Sequence, residues 1–311
     1  MNDVRAAADT YLTIRRSLGF KMKIEGKLLP QFISFLQQQG ATHITATLAL
    51  QWAMLPTRCH PGYWRHRICI VRRFAKYLQA LDPRTEIPPD RVLTQRYHRR
   101  TPHIYTEAEI LRLMKAARRT RCLKGLWGWT FSNIFGLLAV TGMRVAESVL
   151  LNRDDVDLDE GILTIRETKF RKSRLVPVHA STTKALQRYA QLRDRLFPQP
   201  RSNSFFVTEE CKRVTAKRVG KKFLSLSRKI GLRGPEGTPG PHLHDLRHVF
   251  AVRTMLAWYR SGVDVEAHMP ELSTYLGHLS TAETYWYISA VPELLHLAAQ
   301  RLEQTKGGSL S

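Results

Sequence analysis

The sequence predicts a mainly α-helical protein with one small antiparallel β-sheet, arranged as a helical N-terminal domain followed by an α+β C-terminal domain. Three observations carry this expectation. Apolar residues recur at helical spacing over most of the 311 residues, and strict alternation replaces that period between Ile162 and Val178. Pro83, Pro88 and Pro89 then separate two helical regions. The expected limits are a helical domain over 1–82, a basic proline-containing linker over 83–102, and the larger domain over 103–311.

Charge narrows the function. The formal net charge is +23, far beyond what solubility requires, so a polyanionic partner is expected and nucleic acid comes first. Residues 1–103 hold 17 Lys/Arg against 6 Asp/Glu, and the remainder 32 against 20, so both parts are basic. The charge is mixed with apolar periodicity, which puts it on folded surfaces and not in a tail. Cys59, Cys69, Cys122 and Cys211 show no C-x-x-C spacing, which argues against a zinc module or disulfide frame and for a reducing compartment. Asp3 and Asp9 interrupt the N-terminus, and no run approaches eighteen apolar residues. A cytoplasmic, nucleoid-associated protein without a membrane partner is expected.

Taken in order, Val4, Ala7, Ala8, Tyr11, Ile14 and Leu18 define a first helix that stops at Gly19. A second spans about 27–39 and a third 45–54. The longest, about 63–81, sets Trp64, Ile68, Val71, Ala75 and Leu78 on one face and Arg65, Arg72 and Lys76 on another. With Arg58, His66, Arg67 and Arg73 nearby, this helix reads as facing both a core and phosphate, although a solvated basic flank gives the same pattern. In the linker, Arg96, His98, Arg99 and Arg100 are candidates to cross a phosphate backbone.

Thr106-Glu107-Ala108-Glu109 has the capping-box form and starts the second domain firmly. Residues 125–141 are rich in large apolar side chains and read as a buried helix. Met143-Arg144-Val145-Ala146-Glu147 opens another, placing Arg144 at a helix N-terminus with Glu147 one turn on to hold it. Ile162 to Glu167 and Leu175 to Val178 form a hairpin whose tip carries Lys169; such a lysine is usually plain surface. Helices resume at 182–196 and 216–230, the second with a basic face of Lys217, Arg218, Lys221 and Lys222 suited to a DNA groove.

Pro241-His242-Leu243-His244-Asp245-Leu246-Arg247-His248-Val249-Phe250 organises the rest. Pro241 can open a helix, and His244 and Arg247 then share a face beside Leu243, Leu246 and Phe250. A planar guanidinium next to an imidazole suits an anion site where protons move. A metal role for His242, His244 and His248 is weaker, since no acidic or Cys partner stands at ligand spacing. Leu276-Gly277-His278 places a histidine at a tight junction, and Tyr285-Trp286-Tyr287 follows. Either tyrosine also fits a plain core role.

In strict order, Thr-Gly-Met-Arg-Val-Ala-Glu, a hairpin lysine before Arg-Leu-Val-Pro, His-Asp-Leu-Arg-His, Leu-Gly-His and a following tyrosine resemble the tyrosine recombinases, the phage-integrase family. The likeness covers about 103–300, with 1–82 similar to that family's core-binding domain and 103–311 to its catalytic domain. It implies a site-specific recombinase with Arg144, Lys169, His244, Arg247, His278 and Tyr287 as catalytic residues. The tyrosine would form a 3′-phosphotyrosyl bond and free a 5′-hydroxyl, with no metal, cofactor or ATP. Arg144, Arg247 and His278 would stabilise charge on phosphate, Lys169 would protonate the leaving oxygen, and His244 would assist proton movement. Tyr287 lies at the family's usual spacing from His278, and Tyr285 fits only with a short deletion. The connection from Arg247 to His278 is longer than usual, with 258–262 and 266–269 resembling extra turns.

The resemblance also implies double-stranded DNA at two recombination sites as partner, a homotetramer on DNA and a monomer when free. The amphipathic helix over 293–302 docks either on its own domain or on a neighbour. With no evident extra DNA-binding domain ahead of residue 1, a two-domain recombinase of a mobile element is expected. Two alternatives share these residues: a type IB topoisomerase relaxing one duplex, and a DNA-binding regulator without catalysis.

Overall fold

The computed structural model describes residues 2–90, 92–93, 100–166, 173–278 and 280–307. The chain divides into two compact units, Met1–Arg99 and Arg100–Ser311.

The first unit packs α1 (Asn2–Ser17), α2 (Glu25–Gln38), α3 (Ala46–Met54) and α4 (Pro61–Leu78) around Leu29, Phe32, Trp52, Val71 and Phe74. Local chemistry sets the helix starts. Thr45 Oγ1 accepts from the Leu48 amide at 3.2 Å to begin α3, and Pro61 occupies the first turn of α4 behind a His60 cap. The basic face of α4 is smaller than its sequence suggests. Arg67 is 5% exposed; its guanidinium lies 3.6 Å from the Trp52 ring centre and donates to the Trp52 carbonyl at 2.7 Å. Arg72, expected to meet phosphate, donates to the Pro88 carbonyl at 2.7 Å and to the Pro89 carbonyl, and pairs with Asp90 at 2.7 Å. It therefore fastens the start of the linker segment to α4. Arg58, Arg65, Arg73 and Lys76 are exposed.

The second unit is built on α6 (Leu126–Thr141), which carries no charged residue and is buried along most of its length between α5 (Glu107–Arg118), α8 (Ala180–Leu196) and α10 (Asp245–Arg260). The capping box at Thr106 forms, with Thr106 Oγ1 accepting from the Glu109 amide and Glu109 accepting from the Thr106 amide at 2.8 Å. After the short α7 (Val145–Leu150) come β1 (Val156–Asp157), β2 (Ile162–Ile165) and β3 (Arg174–Pro177), an antiparallel sheet in that order. Register runs from Ile162 opposite Pro177 to Ile165 opposite Arg174. Next to α9 (Ala216–Lys229) in sequence, the segment around Pro241 departs from expectation. The helix begins at Asp245, because the Asp245 carboxylate accepts from the His242 amide at 2.8 Å and makes residues 242–245 a turn.

A second cluster of this unit joins α10 to α11 (Val265–Leu276), α12 (Ala282–Ala290) and α13 (Pro292–Gly307) through Met255, Met269, Leu276, Tyr287 and Leu294. The supposed extra turns at 258–262 and 266–269 are the end of α10 and the start of α11. The first turn of α13 packs on its own domain, with Leu294 buried and Glu293 paired to Arg260 at 2.7 Å.

Candidate active site

The C-terminal end of α11 organises the charged residues. Three successive carbonyls there each accept from a different arginine: Tyr275 from Arg174 Nε at 2.7 Å, Leu276 from Arg247 Nη2 at 2.7 Å, and Gly277 from Arg144 Nη2 at 2.9 Å. The last carbonyls of a helix lack intrahelical donors and lie at the negative end of its dipole, so cations settle there. Arg247 also donates to the Gly142 carbonyl, just past α6, at 2.8 Å. Gly277 makes this possible in two ways. Its φ of +69° ends α11 in a left-handed turn, and a Cβ there would sit 2.9 Å from Arg174 Nη1.

Glu147 stands among these cations. It accepts from the Arg144 amide at 2.9 Å and from Arg144 Nη1 at 3.0 Å, which sets that guanidinium at the start of α7. Arg174 Nη2 holds one of its oxygens at 2.7 Å. Burial alone would raise the Glu147 carboxyl, but Arg174 first and Arg144 next overcome this and leave it below the ordinary value. Burial, then the nearby Arg144, pushes the Arg247 guanidinium down to about 10, so it stays charged at neutral pH. Two guanidiniums therefore share one carboxylate while Arg247 rests on carbonyls, and the pocket keeps a positive balance suited to a phosphate.

A row of rings borders the arginines. The centres of His244 and His248 are 4.9 Å apart, those of His248 and Tyr287 5.2 Å, and those of Tyr287 and His278 6.3 Å. Thr284, fully buried one turn before Tyr287, holds His278 Nδ1 through its Oγ1 at 2.7 Å and so sets the imidazole. Tyr287 is 1% exposed while Tyr285 is 40% exposed. The His242–Asp245 turn beneath His244 is braced by Tyr105, whose hydroxyl donates to the His242 carbonyl at 3.0 Å. Burial raises the Tyr105 phenol, so it remains a donor. Among the described residues no group of three or more His, Cys, Asp or Glu converges as a metal site.

The structure thus brings Arg144, Arg247, His278 and Tyr287 together, with His244 exposed at the start of α10. Lys169 and Arg99 lie outside the described residues. Arg100 is exposed and 3.9 Å from Asp245, beside the His244 turn. Lys217, Arg218 and Lys221 project from α9 into solvent, Arg218 with its guanidinium 4.7 Å from the Trp127 ring centre. Sequence reasoning missed Arg174 and Thr284. Arg174 had one available signal, its place at the base of the hairpin where a strand emerges beside the site.

Known proteins bear on this arrangement. The phage integrase family model matches residues 104–293. The chain is 44% identical over 310 residues to the protein named integrase/recombinase y4rB of Sinorhizobium fredii, covering 98% of each. It is 27% identical over 227 residues to tyrosine recombinase XerC of Chlamydia muridarum, covering 72% of this chain and 66% of that one. The Tn1549 transposon integrase in complex with transposon right end DNA shares the fold at a TM-score of 0.68 and 17% identity, over 96% of this chain and 98% of that chain. A lambda integrase tetramer bound to a Holliday junction does so at 0.58 and 19%, over 90% and 78%. A family match through nearly the whole second unit, joined to a relative alike from end to end, leaves one assignment: the chain belongs to the phage integrase family, the tyrosine-type site-specific recombinases.

Proposed function

We propose that this chain cuts and rejoins DNA at specific sites through a covalent tyrosyl intermediate, with Tyr287 as nucleophile. The observation that carries the proposal is the docking of Arg144 and Arg247 on adjacent carbonyls beside His278, with the Tyr287 ring packed against that imidazole. The Tyr287 hydroxyl passes its proton to His244 as its oxygen attacks the phosphorus, the bond to the 5′-oxygen breaks, and that oxygen takes a proton from Lys169. A 3′-phosphotyrosyl ester and a 5′-hydroxyl result. Charge developing on the non-bridging oxygens meets donors already fixed in place by Arg144, Arg247 and His278. His244 assists proton movement at the edge of the site. One phosphoester replaces another, so the bond energy remains available for joining a new 5′-hydroxyl. Because Tyr287 is almost wholly buried, phosphate entry must be accompanied by movement of α12.

In this proposal residues 1–82 form a DNA-binding domain that contacts phosphates through Arg65 and Lys76, and Lys217, Arg218 and Lys221 of α9 face the duplex. Two recombination sites held by a homotetramer form the working complex, a state supported by the lambda integrase tetramer of like fold. The likeness to a protein named integrase and the fold shared with a transposon integrase support a role in a mobile element.

Trapping on a nicked suicide substrate cut from the element's own ends tests the chemistry. Wild type and Tyr285→Phe are expected to form a covalent adduct, and Tyr287→Phe none. If all three bind that DNA and none forms an adduct, the chain is a DNA-binding regulator on this fold.

A further inference from the structure

Arg174 is the least expected member of the arginine cluster, and its surroundings differ from those of Arg144. Its side chain is 11% exposed against 32% for Arg144. Each of its three nitrogens already donates: Nε to the Tyr275 carbonyl, Nη2 to Glu147 at 2.7 Å and Nη1 to Glu147 at 3.3 Å. Burial does not set it apart, since Arg247 is only 2% exposed; but where Arg247 rests on carbonyls alone, Arg174 commits two of its nitrogens to the Glu147 carboxylate. It thereby governs what Glu147 and Arg144 do.

The charge balance shows how. With Arg144 as its sole partner, buried Glu147 would cancel the very charge the phosphate needs, and would pull Arg144 down onto itself. Arg174 supplies the neutralising cation from the other side. Glu147 can then orient Arg144 by its amide and one guanidinium contact while the local sum remains positive. The position of Arg174 adds a second effect. It opens β3 opposite Ile165, and it fixes the start of that strand to the end of α11.

We propose that Arg174 is a positioning residue for strand cleavage: it neutralises Glu147 so that Arg144 is presented to phosphate, and it anchors the start of β3 to the same helix end. This rests on the recombinase reading above. The fork geometry matters as well as the charge, since one planar group serves a carbonyl and both carboxylate oxygens.

The test uses full-length protein in single-turnover cleavage of the trapping substrate, with DNA affinity and thermal melting measured alongside. Arg174→Met is expected to slow cleavage about 100-fold, the loss that follows an ångström-scale misplacement, with DNA affinity within about twofold. Arg174→Lys restores charge without the fork and is expected to recover part of the rate. The charged groups facing Glu147 are Arg144, Arg174 from β3 and Arg247 from α10. Without Arg174 its carboxyl takes up a proton at higher pH, so the acid limb of the rate profile in Arg174→Met should move upward, and adding Glu147→Gln should remove the move. An Arg174→Met rate within about threefold of wild type, on an unmoved acid limb, overturns the assignment of Arg174 alone. A wild-type protein that binds the DNA yet forms no adduct overturns the recombinase reading and this assignment together.

Discussion

Gly277→Ala separates backbone strain from damage to the site. Its φ of +69° lies in the left-handed region, where an L-residue costs about 1–2 kcal/mol. For a unit of this size that corresponds to a melting-temperature fall of about 2–8 °C. The new Cβ would also sit 2.9 Å from Arg174 Nη1, 3.2 Å from its Cζ and 3.5 Å from Arg144 Nη1. Arg174 has to give by several tenths of an ångström, and Arg144 moves with it through their shared Glu147. A misplacement of about 1 Å in groups that meet the transition state costs about 100-fold in rate, so this smaller shift should slow cleavage about tenfold, or about 1.4 kcal/mol of barrier. Gly262→Ala supplies the control. Gly262 has a φ of +75°, and a Cβ added there would meet nothing within 4 Å, so this variant should show a similar fall in melting temperature with cleavage within about twofold of wild type. Melting curves and single-turnover cleavage on the same preparations decide the matter. If Gly277→Ala cleaves as fast as Gly262→Ala, the α11 end does not set the arginines.

The remaining predictions address single contacts. Arg67→Ala, which removes a buried hydrogen bond to the Trp52 carbonyl and the stacking on its ring, should destabilise the first unit by about 2–4 kcal/mol in denaturant melts. Arg65→Ala should leave those melts unchanged and lower the salt dependence of DNA binding by about one phosphate contact. Thr284→Val removes the partner of His278 Nδ1; cleavage should slow about tenfold at unchanged DNA affinity, as a mis-set imidazole would cause. Glu147 has a folded carboxyl held below its ordinary value of 4.5, so its contribution to stability is present above that value and lost as pH falls through the lower, folded one. Melting temperature against pH in the acid range should accordingly decline less steeply for Glu147→Gln than for wild type.

Much of the architecture was legible because local chemistry and tertiary packing agree. The capping box at Thr106, the uncharged run of α6 and the alternation across 162–178 each produced the expected element. Two-residue β1 is too short to leave a period. Pro241 misled because its fixed φ suits a helix start, while the Asp245 carboxylate made a turn there instead. The basic face of α4 was overcounted for a different reason. Arg67 falls three residues after Trp64 and four before Val71, on the apolar face, and that spacing was a usable sign that it would stack inward. Arg72 gave no such sign, because its partners are carbonyls of Pro88 and Pro89 and the nearby Asp90, brought to it by the course of the chain after α4.

The same limit explains the candidate site. Arg144, Arg247, His278 and Tyr287 stand in motifs, but what holds the arginines is largely backbone: carbonyls 275, 276 and 277 and the Gly142 carbonyl. A carbonyl has no letter in the sequence. This choice of acceptor has a physical consequence. Carboxylates in place of those carbonyls would satisfy the guanidiniums but cancel their charge, and phosphate would gain little on arrival. Dipoles at helix ends orient guanidiniums while leaving the net charge in place. Like charges brought this close are costly in a partly buried pocket, and an arriving phosphate relieves that repulsion. Among the described residues, Glu147 is the full negative charge that stands between these arginines, and Arg174 holds it from the far side. The site can then remain assembled without DNA and still hold positive charge in reserve for the phosphate.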